Sequence, residues 1–269
     1  MNRVIRIASF DIGKKNFAQY IEECDIDVLY KLRDKYRTLP KLQQRRVKGK
    51  MNEEIDSLLK DMYIGGRRLH TGVYDFRSNK ESNELDMSVR KNLIKHLKSH
   101  RDLWKECKIF IIEQQYFATF NQYGNRGGKS EANIDAIKLA EATLTWFLSE
   151  YEEAEVLYFS SVYKTQMLGA EPMKEIERKR WAIGKAKEIY TLREDEEVIK
   201  LYNLSDKVKR IRMNNEDKVQ KFIEDFDAKE EDMKELGEKV IRYKQKLCDI
   251  SDAMLQLQAF KYRTFIGEF

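Results

Sequence analysis

Short apolar runs alternate with longer amphipathic stretches along this chain, a pattern typical of an α/β protein. Five of the runs have the length of single strands. The run at 107–115 is nearly all apolar, so we expect its strand to be buried on both faces of a sheet. The predicted strands are 4–11, 16–23, 68–76, 107–115 and 154–161.

Helical periodicity fills most of the intervals between these strands. Helices are predicted around 89–97, at about 131–150 and 175–190, and in a last segment that ends near 260. An insert at about 25–64 also has helical character. The stretch at about 194–239 alternates in charge, which favours a solvated helical hairpin or an extended arm. The order β-β-β-α-β-α-β-α-α predicts one domain over 1–269 with a mixed sheet and these two helical insertions.

Carboxylates stand at positions that suggest a shared site. Asp11 and Glu113 each end an apolar strand, and they lie side by side if the first and fourth strands are neighbours. Asp249 and Asp252 are one helical turn apart and flank an apolar stripe. Converging carboxylates repel one another unless a cation such as Mg²⁺ binds, and paired Mg²⁺ ions support phosphodiester hydrolysis. Taken singly, such residues more often cap turns or face solvent.

Three motifs together resemble a known family. They are strand-Asp-x-Gly at the N-terminus, "IIEQQ" in the fourth strand, and Asp-x-x-Asp-Ala in a late helix. They are similar to the RuvC-type branch of the RNase H-like nucleases, and within it to the poxvirus-type Holliday junction resolvases of large DNA viruses. The resemblance covers about residues 3–23, 68–190 and 240–260.

The resemblance implies an RNase H-like mixed five-stranded sheet flanked by helices. It implies a homodimeric endonuclease that cleaves four-way or other branched DNA at the site of viral DNA replication, in the cytoplasm or nucleus. Two Mg²⁺ ions, for which Mn²⁺ can substitute, would be bound by Asp11, Glu113, Asp249 and Asp252. The family's lysines that approach the scissile phosphate match Lys164 and Lys185.

A glycine-rich loop follows the fourth strand and mixes aromatic with basic residues. Aromatic rings stack on unpaired bases while cations neutralise phosphates, so the loop is a candidate DNA contact. The family likeness places a probing aromatic here. Packing of Phe117 and Phe120 under the loop, as a small separate core, is the alternative. The candidates are Tyr116, Phe117, Arg126 and Lys129.

A second basic feature lies in the first insert, where residues 31–50 contain nine basic residues and one acidic residue. Arg45, Arg46 and Lys48 are the candidates for phosphate contacts, each of which would release counterions. A solvated face or a localisation signal would have the same composition.

The amino-acid composition excludes few classes of function. A net charge of +5 permits a polyanionic partner without requiring one. The three cysteines have no metal-ligand spacing, which predicts reduced thiols, and no apolar run is long enough to span a membrane. The helix at 131–150 has more apolar residues than one core stripe needs, which predicts a dimer surface or burial on two sides. Other RNase H-like nucleases, for RNA:DNA hybrids or flaps, and a non-catalytic DNA-binding scaffold remain the alternatives.

Overall fold

A computed structural model describes residues 3–39, 51–81, 84–115, 133–161, 163–203 and 247–267. Within these ranges five strands form one sheet. Their bounds differ from the predicted ones by at most two residues. The strands are β1 (Val4–Asp11), β2 (Phe17–Asp25), β3 (Gly66–Tyr74), β4 (Cys107–Gln114) and β5 (Glu155–Ser160).

The sheet is mixed and has the strand order β3-β2-β1-β4-β5. β2 is antiparallel to both β1 and β3, whereas β4 is parallel to both β1 and β5. Phe10 pairs with Ile112 in the β1–β4 register. The first and fourth strands are therefore neighbours, and the predicted mixed five-stranded sheet is confirmed.

Helices follow the strands as the periodicity predicted. The first insert contains two of them, and polar side chains cap several helices at their first turns, such as Asp25 before the first helix and Asn133 before the fifth. The helices are α1 (Ile26–Thr38), α2 (Glu53–Ile64), α3 (Met87–Ser99), α4 (Arg101–Trp104), α5 (Ile134–Glu150), α6 (Tyr163–Gln166), α7 (Glu175–Leu192), α8 (196–203) and α9 (247–261), which continues into a π-helical turn (Tyr262–Ile266).

Alternating side chains of the sheet bury two separate cores. Ile7 and Ile111 face the layer that contains α1, α2, α7, α8 and α9. Phe10 and Phe110 face the opposite layer, which contains α3, α4 and α5. The described part of the chain is therefore a three-layer arrangement in which both faces of the central strands are covered.

Two expectations about the helices need correction. The last helix was expected to have one apolar stripe, but every residue from 253 to 262 is buried. Its polar side chains are accommodated because they form hydrogen bonds to the sheet, as Gln256 and Gln258 do. The charged stretch after 194 is not wholly solvated either, because Val198 and Tyr202 of α8 belong to the core. Residues 204–246 lie outside the described part.

Helix α5 is buried on one side only. Its inner stripe includes Leu139, Thr143 and Phe147, whereas Ile134 and Leu148 are about half exposed, at 53% and 51%. Burial on two sides within the described monomer is therefore wrong for this helix. No helix in the described ranges is both long enough and apolar enough to cross a membrane.

Candidate active site

Asp11 and Glu113 stand at the ends of neighbouring parallel strands. Their strands are held in register by the pair Phe10 and Ile112, one residue before each carboxylate. The two side chains share a hydrogen bond, and the amide of Gln115 donates to Oε2 of Glu113 at 3.1 Å. Glu113 is buried and Asp11 half-buried. Strand order alone thus brings together two acids that are 102 positions apart in the sequence.

The other two predicted acids, Asp249 and Asp252, are carried by α9 and belong to the same cluster. Lys164, from the short helix after β5, connects the two groups of carboxylates. Its Nζ lies 2.8 Å from Oε1 of Glu113 and 3.5 Å from Oδ2 of Asp252. Asp249, one turn earlier on the helix, interacts electrostatically with Asp252, Lys164 and Glu113. The four acids predicted from the sequence therefore surround one buried lysine.

The pKa values of three acids in this cluster are shifted in different directions. Burial would raise the pKa of Glu113, but the Lys164 ammonium and the hydrogen bond from Asp11 outweigh it and lower this pKa to about 2. Burial and then the charge of Glu113 raise the pKa of Asp11 well above its usual value. Burial and then Asp252 raise the pKa of Asp249 to about 7. Burial and the neighbouring charges thus favour the protonated form of Asp11 and the ionised form of Glu113.

Lys164 remains charged despite its burial. Desolvation would lower its pKa, but Glu113, Asp252 and Asp11 together raise it above the usual value. A buried ammonium is stable only when paired with anions in this way. Lys164 therefore supplies the positive charge that allows these carboxylates to converge.

The cluster provides the carboxylate oxygens that a divalent cation needs as ligands. Its side chains, however, do not have the arrangement of a complete metal site. In the ranges that the structure describes, no three His, Cys, Asp or Glu side chains are arranged to bind a single metal ion. However, Oδ2 of Asp249 is buried and has no hydrogen-bond partner, which leaves a costly unsatisfied acceptor. Carboxylate oxygens are the preferred ligands of Mg²⁺, so the residues present fit such an ion.

The lysines of α7 are placed differently from one another. Lys185 lies 3.1 Å from Glu188, and its ammonium is 5.5 Å from the ring centre of Tyr63. In the described part of the chain these contacts direct it away from the carboxylate cluster. Lys179 pairs with Glu175 and also acts electrostatically on Asp252 and Asp249. Of these two lysines, Lys179 is therefore the one that acts on the cluster.

The predicted DNA contacts lie outside the described residues. These are Tyr116, Phe117, Arg126 and Lys129 of the loop after β4, and Arg45, Arg46 and Lys48 of the first insert.

Comparison with known proteins finds relatives of low similarity. No protein-family model matches this chain. The chain is related to proteins of two invertebrate iridescent viruses. It is 25% identical over 195 residues to protein 97L of Invertebrate iridescent virus 3, a match that covers 69% of this chain and 85% of that protein. It is 30% identical over 172 residues to protein 170L of Invertebrate iridescent virus 6, covering 62% of this chain and 59% of that protein.

Solved structures with a similar arrangement include Fowlpox virus resolvase and Thermus thermophilus RuvC. The first, in complex with Holliday junction DNA, has 13% identity, a TM-score of 0.36, and coverage of 70% of this chain and 76% of that one. The second has 10% identity, a TM-score of 0.36, and coverage of 66% and 78%.

Proposed function

We propose that this protein is a Mg²⁺-dependent endonuclease that cleaves four-way or other branched DNA. The observation that supports it is the convergence of four carboxylates, from β1, β4 and α9, on the buried Lys164. A purely structural cluster would not need an orphaned carboxylate oxygen, and Asp249 has one. The sequence motifs that carry the resemblance to resolvases contribute all four of these acids.

The reaction adds one water across a P–O bond of the DNA backbone. The water oxygen bonds to phosphorus, and the departing oxygen receives a proton, which leaves one phosphate end and one hydroxyl end. Bound Mg²⁺ would supply charge for the leaving oxygen and lower the pKa of the attacking water. Asp11, Glu113, Asp249 and Asp252 would hold it, and Mn²⁺ suits the same oxygen ligands.

Two lysines have roles that follow from their positions. Lys164 holds Glu113 and Asp252 together. If a bound cation took over these carboxylates, the Lys164 ammonium would be available to a phosphate oxygen. Lys179 is half exposed beside the same acids and is suited to bind a neighbouring backbone phosphate. Lys185, the other candidate from the sequence, would contact DNA farther from the carboxylates.

Branched DNA is proposed as the substrate on the basis of the resemblance and of the basic and aromatic segments. The loop with Tyr116, Phe117, Arg126 and Lys129 would stack on unpaired bases near the branch point, and Arg45, Arg46 and Lys48 would contact phosphates along one arm. A homodimer would present two sites to a substrate with two equivalent strands. The half-exposed Ile134 and Leu148 make the outer face of α5 the candidate dimer surface.

A substrate panel tests this proposal. End-labelled four-way junctions, flaps, RNA:DNA hybrids and linear duplexes are incubated with the protein in Mg²⁺, Mn²⁺ or EDTA. We expect metal-dependent cleavage of the branched DNA and little cleavage of the linear duplex. Preference for the hybrid would favour a different nuclease of the same fold, and junction binding without cleavage in either metal would favour a DNA-binding scaffold.

The dimer is tested on the same material. Light scattering gives the mass with and without junction DNA, and sequencing gels locate the nicks on each strand. We expect a dimer that makes two nicks placed symmetrically about the junction centre, and we expect Leu148→Lys to weaken dimerisation. A monomer that cuts only one strand would be consistent with a nuclease but would contradict the assignment as a resolvase.

A further inference from the structure

A buried glutamine on α9 contacts both strands that carry catalytic carboxylates. The Nε2 atom of Gln256 lies 3.1 Å from Oγ of Ser9, 3.1 Å from the carbonyl oxygen of Phe10 and 3.4 Å from the carbonyl oxygen of Ile111. Carbonyl oxygens only accept hydrogen bonds, so the amide NH₂ is the end of the side chain that faces them. One side chain therefore connects α9 to β1 and β4 at once.

These contacts lie next to the carboxylates themselves. Phe10 immediately precedes Asp11, Ile111 is two residues before Glu113, and Gln256 is one helical turn after Asp252. Successive residues of a helix are rotated by 100° and displaced by 1.5 Å. A shift of α9 by a single residue would therefore turn Asp249 and Asp252 away from the strand ends.

Packing alone does not explain this glutamine. The neighbouring Leu255 and Leu257 are already fully buried, and apolar contacts tolerate small shifts because they have no direction. The carbonyl oxygen of the Gln256 side chain is also buried without a hydrogen-bond partner, a desolvation cost that an apolar side chain would not have. A residue that carries such a cost is better explained by what its directional hydrogen bonds fix.

We propose that Gln256 is a positioning residue that sets the register of α9 against β1 and β4, so that Asp249 and Asp252 meet Asp11 and Glu113. The inference rests on the proposed metal-dependent nuclease and adds a residue to it. Gln256 touches neither the metal nor the substrate. It acts through the backbone of the two strands, and its loss affects the site only by letting the acidic pairs separate.

The same helix offers a matched control. Gln258 is also fully buried, and its side-chain oxygen is also without a partner. Its Nε2 donates to Glu22 of β2 at 2.7 Å, on the strand that carries none of the four acids. Replacing either glutamine with methionine removes an amide of the same size, so the two variants have comparable structural costs but differ in which strand they release.

The test compares the Mn²⁺ affinity of Gln256→Met, Gln258→Met and the unaltered chain. The concentration of free Mn²⁺ is measured by electron paramagnetic resonance, below the melting temperature of each protein. We expect Gln256→Met to weaken binding at least tenfold and Gln258→Met to remain within twofold, with both proteins melting at lower temperatures. Junction cleavage by Gln256→Met should recover only in part at high Mn²⁺. If Gln256→Met does not fold, Gln256→Asn, which keeps an amide that is too short to reach both strands, is measured against the same thresholds.

The outcomes separate the inference from the proposed function. Equal Mn²⁺ affinity in the folded Gln256 variant and in the unaltered chain would overturn the positioning role alone. Equal weakening by both methionine variants would overturn it as well, because the effect would then be one of general stability. An unaltered chain that neither binds Mn²⁺ nor cleaves branched DNA would overturn the proposed function, and the inference with it.

Discussion

Lys164 and Glu113 form an ion pair in which both side chains are almost fully buried, with 5% and 10% of their surface exposed and 2.8 Å between Nζ and Oε1. The lysine also lies 3.5 Å from Asp252, so one cation joins a strand to a helix across the site. Charges in such a place persist only when each has a partner. Lys164 thus acts as an internal counterion for acids that we propose to bind metal.

Removal of this counterion should make the stability of the fold depend on metal. In Lys164→Met, Glu113 and Asp252 lose their cation, and we expect the free energy of unfolding in EDTA to fall by about 3–5 kcal/mol. Added Mg²⁺ should restore more stability to this variant than to the unaltered chain. Urea unfolding with and without Mg²⁺ measures both effects.

Lys179→Met is the control for this prediction. Its pair with Glu175 is half exposed, so its loss should cost no more than about 1 kcal/mol. Equal stability of Lys164→Met and the unaltered chain in EDTA would show that Lys164 is not the counterion of the cluster.

Neutral replacement of the strand-end acids should separate cleavage from binding. Asp11→Asn or Glu113→Gln removes an anionic ligand without removing any basic residue. A loss of about 4 kcal/mol of catalysis corresponds to about a thousandfold lower rate, and we expect at least this decrease. Junction affinity, measured in Ca²⁺ or EDTA, should change little.

Asp135→Asn tests whether any nearby acid would have the same effect. Asp135 lies in the first turn of α5 rather than at the end of a strand, and it pairs with Lys14. Cleavage by this control should stay near that of the unaltered protein. Near-normal cleavage by Asp11→Asn would contradict the proposed position of the active site.

How far the sequence predicts the site depends on how local each signal is. Asp11 and Glu113 were predictable because each ends a short apolar strand, and the ends of neighbouring parallel strands must meet. Lys164 was predicted as a phosphate contact, and its present partners are carboxylates because the side chain is buried beneath them. That burial depends on how α6 packs after β5, which no local pattern records.

Gln256 and the three histidines show what local patterns miss. A polar residue in "MLQLQAF" fits the flank of an amphipathic helix equally well, since periodicity gives no indication that another layer covers the helix. His70, His96 and His100 have no metal spacing in the sequence, yet strand pairing and α3 bring the three rings together. Contacts of this kind are tertiary and appear only when the layers are assembled.

The histidines should make the fold sensitive to mild acid. Nε2 of His96 lies 2.9 Å from the Gln19 side-chain oxygen, and its ring is 4.1 Å from both Tyr74 and His100. Burial, followed by the charges that His100 and His70 would carry, lowers the pKa of His96 to about 3. Between that value and about 6.5 the unfolded chain binds a proton that the folded protein excludes, so stability falls as the pH decreases.

We expect this histidine to cost about 2 kcal/mol of unfolding free energy between pH 7 and pH 5. His96→Gln keeps a donor for Gln19 and should lose that part of the pH dependence in urea unfolding. Asp11 and Asp249 have raised pKa values and act in the opposite direction, but equally in both proteins, so the difference between the two isolates His96. Parallel pH profiles for the two proteins would contradict the prediction.

A second buried charge cluster, which contains none of the four carboxylates, should affect stability without affecting metal binding. Glu22 of β2 is completely buried and accepts hydrogen bonds from Lys261 of α9 and from the hydroxyl of Tyr20, while Arg193 lies 2.8 Å away. Burial would raise its pKa, but Arg193 and Lys261 outweigh it and lower this pKa to about 2. One carboxylate thus ties β2 to α9 and to the residue that follows α7.

Glu22→Gln would leave Lys261 and Arg193 buried without an anion, so we expect the free energy of unfolding to fall by about 3–5 kcal/mol. The adjacent Glu23 is a matched control, because its partners Arg6 and Arg67 are accessible to water and its loss should cost no more than about 1 kcal/mol. Urea unfolding of Glu22→Gln and Glu23→Gln gives the comparison, and Mn²⁺ affinity below the unfolding transition should be normal in both. Similar stabilities for the two variants would show that water reaches the Glu22 cluster, whereas lost Mn²⁺ binding in Glu22→Gln would show that β2, and not only β1 and β4, fixes the position of the acids on α9.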